Sequence, residues 1–231
     1  MKHVLSVSEG YVIGLTGNIA SGKSVVLEML ERLGAKIIDA DALAHEVIER
    51  GTPGWQAVVE EFGEDILGPD GSIDRRKLGD IVFADEAALR RLEALVHPAV
   101  TARTQELIEN SQEPVVVIEA IKLIEAGMHR ACDALWVVAC RKEQQLARLM
   151  EQRGLSQEEA LRRIEAQPPQ EAKLALADVV IDNSGSLDET WQQVKREMNK
   201  IARNKGGISD QGIGDRGIRA GVNTRHGCLI S

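Results

Sequence analysis

At 231 residues the chain is long enough for one large domain or for a core with inserted subdomains. Hydrophobic residues at 43% and charged residues at 28% are ordinary globular values, and no apolar run reaches the length of a membrane span. A formal net charge of -8 argues against a nucleic-acid binder, and it means that an anionic substrate needs a local basic pocket.

In chain order, Tyr11-Val12-Ile13-Gly14-Leu15-Thr16 is a β-prone apolar run that reads as a buried strand. Gly17-Asn18-Ile19-Ala20-Ser21-Gly22-Lys23-Ser24 follows it and fits the pattern G-x-x-x-x-G-K-[ST]. Residues 25–33 read as an amphipathic helix stopped by Gly34. Strand, glycine loop and helix in this order make a phosphate cradle. Glycines let the backbone approach a polyphosphate, successive N–H groups point inward, and the helix adds the positive end of its dipole. Lys23 suits the β- and γ-phosphates and Ser24 suits Mg²⁺.

Residues 36–38 read as a second strand with Asp39 and Asp41 at its carboxyl end, where open α/β sheets carry ligands. Either carboxylate suits a base, a Mg²⁺ ligand through water, or the cap of a helix beginning near Ala42. Residues 42–100 read as mostly helical: helices over 42–49 and 55–62, a turn at Gly68-Pro69-Asp70-Gly71, a basic helical start at 74–78, and a strong helix over 86–96. His97-Pro98 reads as a helix boundary because of its proline.

Pro114-Val115-Val116-Val117-Ile118-Glu119 and Ala134-Leu135-Trp136-Val137-Val138-Ala139-Cys140 read as buried parallel strands. Residues 141–166 are polar and helical, bent at Gly154-Leu155-Ser156, with Ser156 and Glu159 spaced as a capping box. The arginines of these two helices suggest a lid over phosphates. Residues 177–183 form a last strand before a helix over 187–202, and the glycine-rich segment 204–231 reads as disordered. Cys132, Cys140 and Cys228 lack metal-ligand spacing, and their odd number makes a poor disulfide framework. Reduced thiols, with no signal-peptide apolar core in residues 1–10, make a cytoplasmic location the expectation.

Several of these segments together resemble the dephospho-coenzyme A kinase family. They are the loop with Thr16 before it, Ile38-Asp39-Ala40-Asp41-Ala42-Leu43-Ala44-His45, Leu92-Glu93-Ala94-Leu95-Val96-His97-Pro98, Ile164-Glu165-Ala166-Gln167, and Ala177-Asp178-Val179-Val180-Ile181-Asp182-Asn183. The likeness spans about residues 11–200. It implies an α/β parallel-sheet P-loop kinase fold with a helical acceptor-binding insertion and a helical lid. The expected division is a nucleotide-binding core (1–41, 101–140, 171–203), an acceptor domain (42–100), a lid (141–170) and the tail (204–231). It also implies transfer of phosphate from ATP, with Mg²⁺, to the ribose 3′-hydroxyl of dephospho-coenzyme A.

By the same resemblance Asp41 is the base, with Lys23 and Arg148 also catalytic. ATP meets Gly17, Asn18, Ile19, Ala20, Ser21, Gly22, Lys23, Ser24, Val25, Arg148, Arg163 and Asn183, and Ser24 holds the metal. The acceptor meets Thr16, Asp39, Asp41, Arg75, His97 and Pro98. ATP and dephospho-coenzyme A are then the partners, with neither nucleic acid nor membrane.

The chain departs from the family pattern at Asn18, Ala20 and Val25, where glycine, glycine and threonine are usual. Ile121-Lys122-Leu123 stands for Pro-Leu-Leu, and Gln152 stands where an arginine is common, with Arg153 beside it. Another P-loop nucleotide kinase and an ATP-binding relative without activity are the alternatives. A GTPase does not fit: Asp65-Ile66-Leu67-Gly68 follows a helix, and Asn199-Lys200-Ile201-Ala202 lacks the aspartate that reads guanine.

Overall fold

The computed structural model describes residues 10–204. The tail expected to be disordered therefore lies, apart from Asn204, outside the described residues. The described chain forms two compact units, one of residues 10–38 with 111–204 and the other of residues 39–110.

The first unit is built on β1 (Tyr11–Thr16), followed by α1 (Lys23–Arg32) and β2 (Lys36–Asp39), whose last residue opens the second unit. The second unit holds α2 (Ala40–Glu46), α3 (Pro53–Phe62), a 3-10 turn at Glu64–Ile66, α4 (Arg75–Ala84) and α5 (Glu86–Glu109). The chain returns to the first unit with β3 (Val115–Glu119), a 3-10 turn at Met128–Ala131 and β4 (Ala134–Ala139). It ends with α6 (Lys142–Arg153), α7 (Gln157–Glu165), α8 (Gln170–Leu174), β5 (Val179–Asp182) and α9 (Leu187–Asn204).

The strands form one sheet in the order β2-β3-β1-β4-β5. β1 lies at its centre, parallel to β3 on one side and to β4 on the other, and β4 pairs parallel with β5. β1, β3 and β4 are buried on both faces, which explains their unbroken apolar runs. Successive side chains leave a strand on opposite faces. Ile13 and Leu15 therefore join Val115, Val117, Trp136 and Val138 in a core closed by Val26 and Leu30 of α1 and Val194 and Met198 of α9. On the opposite face a side chain at Gly14 would press Leu123 Cδ2 at 2.9 Å and Cys132 Sγ at 3.0 Å.

Local signals set many helix ends. Thr52 caps α3, with Pro53 in its first turn, and Asp74 and Asp85 cap α4 and α5. The capping box at Ser156 and Glu159 is complete: Glu159 N donates to Ser156 Oγ at 3.3 Å, and Ser156 N donates to Glu159 Oε2 at 2.9 Å.

The expectations for the helical insertion need three corrections. α2 begins at Ala40 rather than near Ala42, and its cap is Asp39, whose carboxylate accepts from Ala42 N at 2.8 Å. Asp41 thus lies in the first turn instead of capping it. Pro98 ends nothing, because α5 runs through it from Glu86 to Glu109. Proline removes one backbone hydrogen bond there, yet Leu92, Val96, Val100, Thr104 and Ile108 form a buried row at four-residue spacing that holds both halves on one axis. The boundary expected between residues 100 and 101 falls inside this helix, and the compact unit closes at 110.

Pro98→Ala should restore the missing bond and raise stability by about 1–3 kcal/mol, since proline inside a helix is less favourable than alanine by about 3 kcal/mol. Urea denaturation measures this, and an unchanged midpoint would show that the helix already accommodates the ring.

Candidate active site

The loop between β1 and α1 is shaped by what lies against it. A Cβ on Gly17 would stand 2.5 Å from the Val138 carbonyl oxygen and 2.8 Å from Ser21 Oγ, so only glycine fits. Gly22 caps α1 at φ 94 with no side-chain hydrogen bond, and a side chain there would collide with the Asn183 amide. The Val25 and Val26 N–H groups donate to the Gly22 carbonyl at 3.1 and 3.3 Å, so the N–H groups of Lys23 and Ser24 are the ones left with neither an intrahelical acceptor nor a capping side chain. Their shared direction and the helix dipole suit this end to an anion.

Ala20 occupies the left-handed region at φ 55, where an L-residue is disfavoured by roughly 1–2 kcal/mol. A glycine is usual at this position by the resemblance above, so the loop keeps the glycine conformation with an alanine in it.

Lys23 opens α1, and its Nζ donates to Glu119 Oε1 at 2.5 Å. Both side chains are largely buried, 15% and 8% exposed. Glu119 ends β3 next to β1, so the pair joins the loop to the neighbouring strand. Ser24 is exposed in the first turn of α1, and its hydroxyl makes no hydrogen bond among the described residues. Thr16 is fully buried, and its hydroxyl donates to the carbonyls of Ala120 at 3.0 Å and Ile121 at 3.3 Å.

Arg148 of α6 turns inward. Its Nη1 donates to the carbonyls of Ala20 and Ser21, each at 3.1 Å, and its Nη2 to the carbonyl of Asn183 at 2.9 Å. Asn183 is 2% exposed, and both ends of its amide are engaged. Its Nδ2 donates to the Ser21 carbonyl at 2.9 Å, and its Oδ1 accepts from Thr190 Oγ1 at 3.0 Å. These two residues brace the loop from behind. Arg163 of α7 is exposed, as are Gln152 and Arg153 at the end of α6.

Gln167 and Lys173 were not singled out as site residues by sequence reasoning. Gln167 Oε1 accepts from Ile19 N at 2.7 Å, and Asn18 Nδ2 donates to the Pro168 carbonyl at 3.1 Å. Lys173 is 4% exposed, and only burial, which a sequence does not show, marks it out. Burial pushes the Cys132 thiol up to about 12 and also raises Cys140, so neither is an ionised nucleophile near neutral pH.

The second unit gathers its own polar set. Asp39 and Asp41 are half-buried at the start of α2, with His45 one turn on. Burial holds His45 below its ordinary value of 6.5, and the Arg75 guanidinium pushes the same way, while Asp41 and Asp39 pull it up. Arg75, Asp39 and Asp41 thus all lie within electrostatic reach of His45. His45 Nε2 is buried without a hydrogen-bond partner. His97 and Pro98 are exposed on α5.

A central strand, a glycine loop, an uncapped helix start and a buried lysine define a P-loop phosphotransferase of the nucleotide-kinase type. The family model described as dephospho-CoA kinase matches residues 11–189. A dephospho-CoA kinase of Geobacter metallireducens is 50% identical over 186 residues, 79% of this chain and 92% of the relative. One of Aquifex aeolicus is 44% identical over 192 residues, 83% of this chain and 97% of the relative. The solved structure of a dephospho-CoA kinase from Campylobacter jejuni superposes with a TM-score of 0.62 at 29% identity, covering 84% of this chain and 98% of that one. The chain belongs to the dephospho-CoA kinase family, transferases that catalyse the final step of coenzyme A biosynthesis.

Two outcomes test this geometry. Arg148→Ala should lower stability by about 1–3 kcal/mol by leaving inward carbonyls short of donors, which chemical denaturation measures. His45 binds its proton more readily when unfolded, so its contribution to stability is complete above pH 6.5 and lost as the pH falls through the window beneath that value. Unfolding titrations across that window should show this slope in the wild type and a flatter one in His45→Gln.

Proposed function

We propose that the chain transfers the terminal phosphoryl group of ATP to the ribose 3′-hydroxyl of dephospho-coenzyme A, giving coenzyme A and ADP, in the cytoplasm. The observation that carries this reading is the family match over residues 11–189, which takes in both the loop at 17–24 and the Asp39-Ala40-Asp41 triplet.

In this reading the loop from Gly17 to Val25 wraps the phosphates with backbone N–H groups. Lys23 leaves Glu119 to meet the β- and γ-phosphates. Arg163, exposed on α7, supplies charge from the lid over residues 141–170. Arg148 and Asn183 hold the loop in shape, and their engaged polar groups support that role better than direct contact with nucleotide. Thr16 acts through the turn at Ile121, because its buried hydroxyl is already donated there.

The 39–110 unit binds the acceptor. Asp41 takes or orients the proton of the attacking hydroxyl, Asp39 supports it, and Arg75, His97 and Pro98 contact the acceptor. Arg75 is the cation for an anionic group in a chain of net charge -8. The Ser24 hydroxyl is a hard oxygen donor of the kind Mg²⁺ takes. Bound there, the ion would neutralise charge on the β- and γ-oxygens. Positioning and charge neutralisation supply most of the catalysis in phosphoryl transfer, and the base adds roughly 10²–10⁴-fold.

The test is a coupled assay of ADP release with dephospho-coenzyme A, beside adenosine, AMP and no acceptor. Asp41→Asn should lower kcat by about 100-fold or more while ATP binding is retained. Turnover with another acceptor alone would assign the chain a different substrate.

A further inference from the structure

We propose that Lys173 is a positioning residue for phosphoryl transfer: its buried ammonium anchors a strap, residues 167–173, that aligns the loops following β1, β3 and β4. The proposal rests on the kinase reading above.

A lysine is almost never fully buried unless paired, and Lys173 is 4% exposed. Its Nζ donates to the Ile121 carbonyl at 3.2 Å and lies 3.7 Å from Glu125 Oε1. The Ile121 carbonyl also accepts from Thr16 Oγ1, so the end of β1 and helix α8 meet on one oxygen atom. The same strap reaches the other two loops. Gln167 and Pro168 hold Ile19 and Asn18 after β1, and Gln170 Oε1 accepts from Cys140 N, just past β4, at 3.3 Å. Phosphates bind at these strand ends, and one short segment returning from α7 ties all three.

The charge pattern supports the assignment. Burial lowers the lysine's affinity for its proton, Glu125 raises it, and Lys23 lowers it, so the two ammonium groups sense each other. Each ammonium has its own carboxylate: Lys23 pairs with Glu119, and Lys173 lies beside Glu125. Helix α8 is too short to be stable alone, so its place depends on these tertiary bonds. An apolar side chain would fill the volume of Lys173 but leave the Ile121 carbonyl without that donor.

The test is Lys173→Met in the full chain, with thermal unfolding, ADP calorimetry and steady-state kinetics for both substrates. Misplacing a phosphate loop by about 1 Å is costly, so kcat/KM for ATP should fall about 10- to 100-fold and ADP binding should weaken, with KM for dephospho-coenzyme A unchanged. The melting temperature should move little, because the Glu125 side chain is 40% exposed and can turn to water. Wild-type kcat and KM for ATP, or equal losses towards both substrates, would overturn the proposal. If Lys173→Met does not fold, Glu125→Gln decides. It should lower kcat/KM for ATP by about 2- to 5-fold, the scale of one half-exposed ion pair, and unchanged kinetics would overturn the proposal. Failure of the kinase reading looks different: the wild type would bind ADP without turning over dephospho-coenzyme A, and the loss of ADP affinity in Lys173→Met would still judge the strap.

Discussion

The buried pair of Lys23 and Glu119 is the contact on which the site depends. The start of α1 is electropositive by its backbone alone, and Lys23 adds a full charge at the same place. Without an anion beside it that charge would be unstable in a buried setting, where losing one partner of such a pair costs about 3–5 kcal/mol. Glu119 supplies the anion from the adjoining strand. In the proposed reaction a polyphosphate takes over from the carboxylate, so the lysine exchanges one anionic partner for another and never stands alone. That exchange requires the loop to keep its shape while its charge is reassigned.

The surrounding residues supply this rigidity. Gly17 admits the Val138 carbonyl, and Gly22 admits Asn183. Arg148 and Asn183 converge on the Ser21 carbonyl from α6 and from the turn after β5. Gln167 and Pro168 hold the opposite side of the loop. The departures from the family pattern fit this frame. Asn18 uses its side chain to bond the Pro168 carbonyl, and Ala20 tolerates a positive φ while its carbonyl accepts from Arg148. At Ile121-Lys122-Leu123, the Ile121 carbonyl receives Thr16 and Lys173, and Leu123 is fully buried. Hydrogen bonds and packing thus fix the course of this turn in the absence of the usual proline.

The phosphate loop, the buried strands and the capping box at Ser156 were legible because each depends on residues close together in sequence. Glycine spacing, a β-branched run and a serine three residues before a glutamate act over a turn or a strand, and neighbours alone supply the physics. The same holds for Gly34 and Gly154, which adopt positive φ where helices stop. Residues 11–33 therefore spelled out the strand, glycine loop and helix of a P-loop fold, and the later segments carried the resemblance to the family.

Tertiary structure decided what local preference left open or ordered differently. Pro98 favours a helix end, but a buried row along α5 outweighs one missing hydrogen bond. Asp39 and Asp41 were both candidate caps, and because α2 opens at Ala40 the cap fell to Asp39. Arg148 and Arg163 look alike as lid arginines in sequence, yet one turns in to backbone carbonyls and the other faces water. Lys173 could not be told from a surface lysine, because its partners Ile121 and Glu125 stand some fifty positions earlier. The sequence by itself determined the phosphate-loop pattern, since those residues act on their neighbours. Only the fold decided which distant side chains hold that loop in place, because burial and long-range pairing exist only once the chain has closed on itself.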